Sequence, residues 1–130
     1  MASSKRAFIS FDYDHDEDLR NLLVGQARNP DTPFEIVDRS VKEPLTGDWK
    51  EKVKRRMQNV DVVIVICGEY MNSAPGVNAE IRIAQEIGKP YFLLWGRNGK
   101  QCTKPSAAGP SEKIYEWTWP NVKSLIGGAR

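Results

Sequence analysis

Two apolar runs, Val62-Val63-Ile64-Val65-Ile66-Cys67 and Tyr91-Phe92-Leu93-Leu94-Trp95, are separated by a single helical pattern from Pro75 to Ile87. Neither run alternates polar with apolar, as a strand solvated on one face would. Strands buried on both faces belong to parallel sheets covered by helices, so 61–95 reads as a β-α-β unit. The helix between the runs contains one discordant residue. With about 100° per residue, Ile81, Ala84 and Ile87 fall within about 80° of Val77, and Ile83 lies at the margin. Asn78, Arg82, Gln85 and Glu86 are expected to face away. Glu80 falls inside the apolar stripe. A carboxylate facing inward near a helix N-terminus lies at the carboxyl ends of the strands, where open α/β sheets bind ligands. Buried there, it must be paired, protonated or used.

The rest of the chain fits the same plan. Arg6–Phe11 reads as a first strand, followed by the acidic segment Asp12–Asp18 and a helix spaced by Leu19, Leu22 and Leu23. Asp14 with Glu17, and later Asp48 with Glu51, have capping-box spacing. Phe34–Asp38 is a short strand, expected at an edge. Arg39–Gly47 is a loop, and Trp49–Asn59 a helix with Trp49, Val53, Met57 and Val60 inward. Its basic side, Lys50, Lys52, Lys54 and Arg55, reads as a solvated face. Residues 96–113 form a long polar loop, followed by a short strand at Ile114–Trp117 and a helix from Pro120. Right-handed crossovers give a three-layer sandwich around a parallel sheet of four to five strands, order 2-1-3-4-5. Its crevice opens where strands 1 and 3 diverge.

At 130 residues the chain suits one domain, read as 1–130. A net charge of +2 argues for neither nucleic acid nor a membrane surface, and no apolar run reaches membrane-span length. Cys67, at the end of a buried strand, and Cys102, in a polar loop, are expected as free thiols in a cytoplasmic protein. No metal is expected. The only histidine, His15, sits among carboxylates and is expected to be a solvated surface group.

Chemistry narrows by elimination. The turn after strand 1 is acidic and would repel a phosphate cradle. G-x-G-x-x-G, the P-loop and the nucleophile elbow G-x-S-x-G are absent. A phospho-receiver needs an acceptor Asp at the end of strand 3, where this chain has Cys67-Gly68. A lone carboxylate with aromatic company suits scission of an N-glycosidic bond, which passes through an oxocarbenium-like cation. Phe11, Tyr13, Tyr70 and Trp49 are the aromatic candidates, with Trp49 better read as core.

The order Phe8-Ile9-Ser10-Phe11, Asp48-Trp49, Val62–Gly68, Ser73…Val77-Asn78-Ala79-Glu80-Ile81…Ala84…Gly88-Lys89-Pro90 resembles the TIR-like domain family, which includes the Thoeris anti-phage TIR-like subunit. The likeness covers about residues 6–95. It implies a flavodoxin-like fold and cleavage of NAD at the nicotinamide–ribose bond, with NAD as substrate and no cofactor. It further implies a cyclic ADP-ribose isomer, or ADP-ribose, as a defence signal. The family's catalytic glutamate falls on Glu80, its strand-1 aromatic and following polar residue on Phe11 and Asp12, and its variable loop on Arg39–Gly47 with Ser40 as a contact. On that reading Phe11 and Tyr70 hold bases, and Asp12 and Ser40 bind hydroxyls. Many members carry a Trp just before the Val77 position, where this chain has Gly76. The implied partners are NAD, a second copy in a homo-oligomer, and an effector protein reached through the nucleotide signal. Two alternatives stand beside this one: a non-catalytic interaction or nucleotide-sensing module, and a nucleoside deoxyribosyltransferase-like enzyme.

Overall fold

A computed structural model describes residues 5–12, 15–28, 34–39, 47–71, 74–97, 99–109 and 111–128. The elements run β1 (Lys5–Ser10), α1 (Glu17–Ala27), β2 (Phe34–Arg39), α2 (Gly47–Gln58), β3 (Val62–Cys67), α3 (Pro75–Glu86), β4 (Tyr91–Trp95), β5 (Ile114–Glu116) and α4 (Trp119–Ile126). The sheet order is β2-β1-β3-β4-β5, with every neighbouring pair parallel. This is the flavodoxin-like order expected from the sequence, with β2 at one edge and the short β5 at the other.

The pleat divides the core cleanly. Val63, Val65 and Cys67 of β3 join Phe8, Leu93 and the inner faces of α2 and α3, through Trp49, Val53, Met57, Val77, Ile81 and Ala84. Val62, Ile64 and Ile66 point the other way, toward Ala7, Ile9, Phe92 and Leu94, and toward α1 and α4 through Leu19, Leu23, Val122 and Leu125. A strand with period-2 side chains and helices on both sides has no face left for polar residues, which is why β3 is apolar throughout.

Helix ends depart from the expected caps. α1 starts at Glu17 with Asp16 at its N-cap, and the Asp16 side chain makes no capping bond; Asp14 lies outside the described residues. α2 begins at Gly47, so Asp48 sits within its first turn. α4 is capped by Thr118, whose Oγ1 accepts from the Asn121 N–H at 3.3 Å. The Gly-Lys-Pro break after α3 has a mechanical explanation. Gly88 takes φ +70°, its N–H donates to Gln85 O, and the Lys89 N–H donates to Ala84 O. This is a Schellman closure, which favours glycine at that position.

Candidate functional site at the carboxyl ends of β1 and β3

β1 alternates Phe8, Ile9 and Ser10 across the sheet. Phe8 and Ser10 therefore share the α2–α3 face, and Ser10, fully buried, pairs in register with Val65 of β3. α3 lays Val77, Ile81 and Ala84 on that face, and Glu80 comes with them. Its side chain is 2% exposed, and Oε1 accepts a hydrogen bond from Ser10 Oγ at 2.7 Å. The inward glutamate is thus real, and one of its partners is the last residue of β1.

Phe11, next in the chain, faces the opposite side of the sheet. It packs with Leu19 and Leu23, and the Arg20 guanidinium lies 5.9 Å from its ring. One residue along an extended strand reverses the side, so Phe11 is not brought beside Glu80. Among the described residues the exposed aromatic at this edge is Tyr70, 47% accessible. Its ring stacks on His15, with centroids 4.1 Å apart and planes 25° from parallel.

The turn after β1 is tightly tied. Asp12 O accepts from the N–H groups of His15 and Asp16, at 3.3 and 2.8 Å. His15 Nδ1 lies 2.6 Å from Asp12 Oδ2. Asp12 is buried, whereas the His15 side chain is 46% exposed. The expected solvated histidine is therefore fixed at Nδ1 and across one ring face. Arg97, from the segment after β4, clamps the turn from outside. It donates to both carboxylate oxygens of Asp18 at 2.8 and 3.1 Å, to Asp16 Oδ1 at 3.1 Å and to His15 O at 2.9 Å. Hydrogen bonding from Arg97 pulls the Asp18 carboxyl below its usual range. Burial pushes Asp16 up despite the same arginine. Asp16 Oδ2 has no hydrogen-bond partner among the described residues and lies against Gly68, where any Cβ would overlap the carboxylate.

Asn78 corrects the helical-wheel reading. Expected to face away, it is buried, because the 99–109 segment covers the first turns of α3 on that side. Asn78 Nδ2 donates to Met71 O and Ala74 O, both at 3.0 Å, and Oδ1 accepts from Ala107 N–H and Ser106 Oγ. The same segment bonds to the β3–α3 loop: the Thr103 N–H donates to Gly68 O, and the Met71 N–H donates to Thr103 Oγ1. It also buries Cys102, expected in a polar loop. Buried Cys67 has its thiol pushed far up by desolvation. Ser40 and Tyr13 lie outside the described residues.

The structure thus places Asp12 and Tyr70 around His15 and Glu80 against Ser10, both at the carboxyl end of the sheet, and leaves Phe11 in the opposite core. It adds Ser10, His15, Asn78 and Arg97. For Ser10 the signal was present, since strand parity from Phe8 points it toward α3. Asn78 and Arg97 depend on a loop whose path no periodicity encodes. Gly76, at the family's Trp position, is half-buried in the first turn of α3, with open space where a Cβ would stand.

An all-parallel 2-1-3-4-5 sheet is the flavodoxin-like arrangement, and here a buried glutamate is bonded to the last residue of β1. The sequence matches the profile of the Thoeris protein ThsB TIR-like domain over residues 8–100, and the chain belongs to that family. Among solved structures, a prokaryotic SEFIR domain superposes with a TM-score of 0.58 at 17% identity, covering 95% of this chain and 92% of that one. At that identity the likeness concerns the fold alone. Comparison with curated proteins gives no match. Among the described residues no helix is long and apolar enough to cross a membrane.

Proposed function

We propose that this chain cleaves NAD at the nicotinamide–ribosyl bond, releasing nicotinamide and forming ADP-ribose or a cyclic ADP-ribose isomer as a defence signal. The observation that carries this reading is Glu80, buried at the mouth of the parallel sheet and held by Ser10. Membership of the Thoeris TIR-like family supports a role in defence. As the C–N bond breaks, positive charge develops on the ribose. A fixed carboxylate stabilises that charge, or attacks it, best in a site shielded from water. Nicotinamide leaves as a neutral ring, so no strong general acid is needed. Ser10 aims the carboxylate by occupying one oxygen. Tyr70 offers an exposed ring for stacking on a base, and Ser40 remains the candidate contact from the loop after β2.

The test is nicotinamide release from NAD by the purified full chain, followed by chromatography. Glu80→Gln, nearly isosteric, lowers the rate by about 10²–10³-fold, comparable to losing one preorganised electrostatic group. A Glu80→Gln protein as active as wild type refutes the site.

A second reading, a non-catalytic TIR-like module, draws on Gly76, which supplies no side chain where many members have an indole. Nucleotide-dependent self-association without turnover, seen by light scattering, selects it.

A further inference from the structure

The His15 imidazole is restrained more closely than a surface side chain requires. Asp12 Oδ2 holds Nδ1 at 2.6 Å, and Tyr70 covers one ring face at 4.1 Å between centroids. Arg97 grips the backbone carbonyl of the same residue at 2.9 Å. A carboxylate oxygen accepts hydrogen bonds, so this contact suits the tautomer with the proton on Nδ1 and the lone pair on Nε2. A carboxylate that fixes an imidazole tautomer in this way is the arrangement that prepares a general base. The pair stands two and five residues beyond Ser10, the hydroxyl bound to Glu80, and Tyr70 stands three beyond Cys67, the last residue of β3. The imidazole and the glutamate therefore both stand at the carboxyl end of the sheet, the end at which open α/β sheets bind ligands.

We propose that His15, positioned by Asp12 and Tyr70, is the general base of the capture step in this site; the inference rests on the NAD-cleaving reading above. Departure of nicotinamide breaks the C1–N bond, and the bonding electron pair leaves on the ring nitrogen. The ribosyl carbon is then taken by the oxygen of water or of a hydroxyl on the same nucleotide. The new C1–O bond forms from an oxygen lone pair, the O–H proton passes to His15 Nε2, and it is released to solvent. Glu80 handles the developing positive charge, and His15 handles the proton that glutamate-assisted departure leaves unplaced. Asp12 is a positioning residue in this scheme.

His15 is the only histidine in the chain, so its ring nitrogens can be followed without assignment ambiguity. Long-range ¹H–¹⁵N spectra of the full chain at neutral ring charge are expected to show the Nδ1–H tautomer. Asp12→Asn, whose amide can also donate, is expected to move the population toward Nε2–H. In turnover, His15→Ala lowers kcat by about 10²–10⁴-fold with KM within about threefold, the usual range for a lost general base. Added imidazole restores part of the rate of His15→Ala and none of the rate lost in Glu80→Gln. An Nε2–H tautomer in the wild type, wild-type kcat in His15→Ala, or a folded but inactive His15→Ala that imidazole does not rescue each overturn the assignment. Activity in His15→Ala beside a dead Glu80→Gln removes this inference alone. Absence of nicotinamide release from the wild type removes the parent reading, and this inference falls with it.

Discussion

The two ends of the parallel sheet treat polar groups differently. At the amino end, Asp61 Oδ2 accepts from the Arg6 N–H at 2.8 Å and Lys89 Nζ donates to Val60 O at 2.6 Å. These side chains are exposed or half-buried, and each ties neighbouring backbone together. At the carboxyl end lie all five buried polar or charged residues found among the described positions: Ser10, Asp12, Asp16, Asn78 and Glu80. Burying a carboxylate is costly unless it is paired, and three of the five are carboxylic acids. The amino end is built for strand registration. The carboxyl end carries polar groups that a purely structural edge would place in water.

Within the carboxyl end, Asn78 and Glu80 make a second contrast. Asn78 uses both amide protons and both acceptor sites of its oxygen on neighbouring loops, which accounts for its burial by structure alone. Glu80, two residues on, is buried to a similar degree, and one of its bonds is to the hydroxyl of Ser10, the last residue of β1, at the carboxyl end of the sheet. On the proposed function, equal burial serves a knot in one case and chemistry in the other.

That contrast can be broken by substitution. The largest stability effect is expected for Asn78→Ala, which strands loop carbonyls and the Ala107 N–H. It should lower stability by about 2–4 kcal/mol in urea unfolding, given the cost of unsatisfied buried groups. Glu80→Gln should lose far less stability than activity. If their stability losses were equal, the division between knot and site would fail.

Gly68→Ala comes next. Its Cβ overlaps the Asp16 carboxylate, so a loss of about 1–3 kcal/mol is expected from overpacking. Asp16→Ala in the same chain should relieve part of that loss. A double-mutant cycle with no coupling would refute the contact. At the amino end, Asp61→Ala should cost under about 1 kcal/mol, because its hydrogen bond is exposed to water. A larger loss there would erase the difference between the ends.

The smallest effect is a dependence on pH. Because burial raises the Asp16 carboxyl, the folded chain holds that proton more tightly than the unfolded chain. Stability from this group therefore falls as pH rises through the carboxylate range toward neutrality. Asp18, lowered by Arg97, acts oppositely: its contribution is present above the ordinary carboxylate range and is lost as pH falls through the lowered value. Asp16→Asn should thus gain on wild type between about pH 4 and pH 7, read as the difference in urea midpoints. A midpoint difference that stays flat or shrinks would show that burial is not what controls Asp16.

Local pattern was enough to fix the framework. The unbroken run Val62–Cys67 required cover on both faces, and the stripe Val77, Ile81, Ala84 set the rotation of α3, so the inward Glu80 followed from periodicity. Gly88-Lys89-Pro90 encoded the stop of that helix through one positive-φ glycine and a following proline. These are interactions within about one turn or one pleat, and such short-range geometry is written in residue spacing. The Asp12–His15–Tyr70 cluster, the Arg97 clamp and the burial of Asn78 and Cys102 were settled only by tertiary structure. Each joins segments far apart in the chain: Arg97 Nη2 meets Asp16 Oδ1 across 81 positions. The side of the sheet taken by Phe11 shows the same limit, since one step along β1 decides between the crevice and the opposite core, and only the formed sheet fixes where the strand ends.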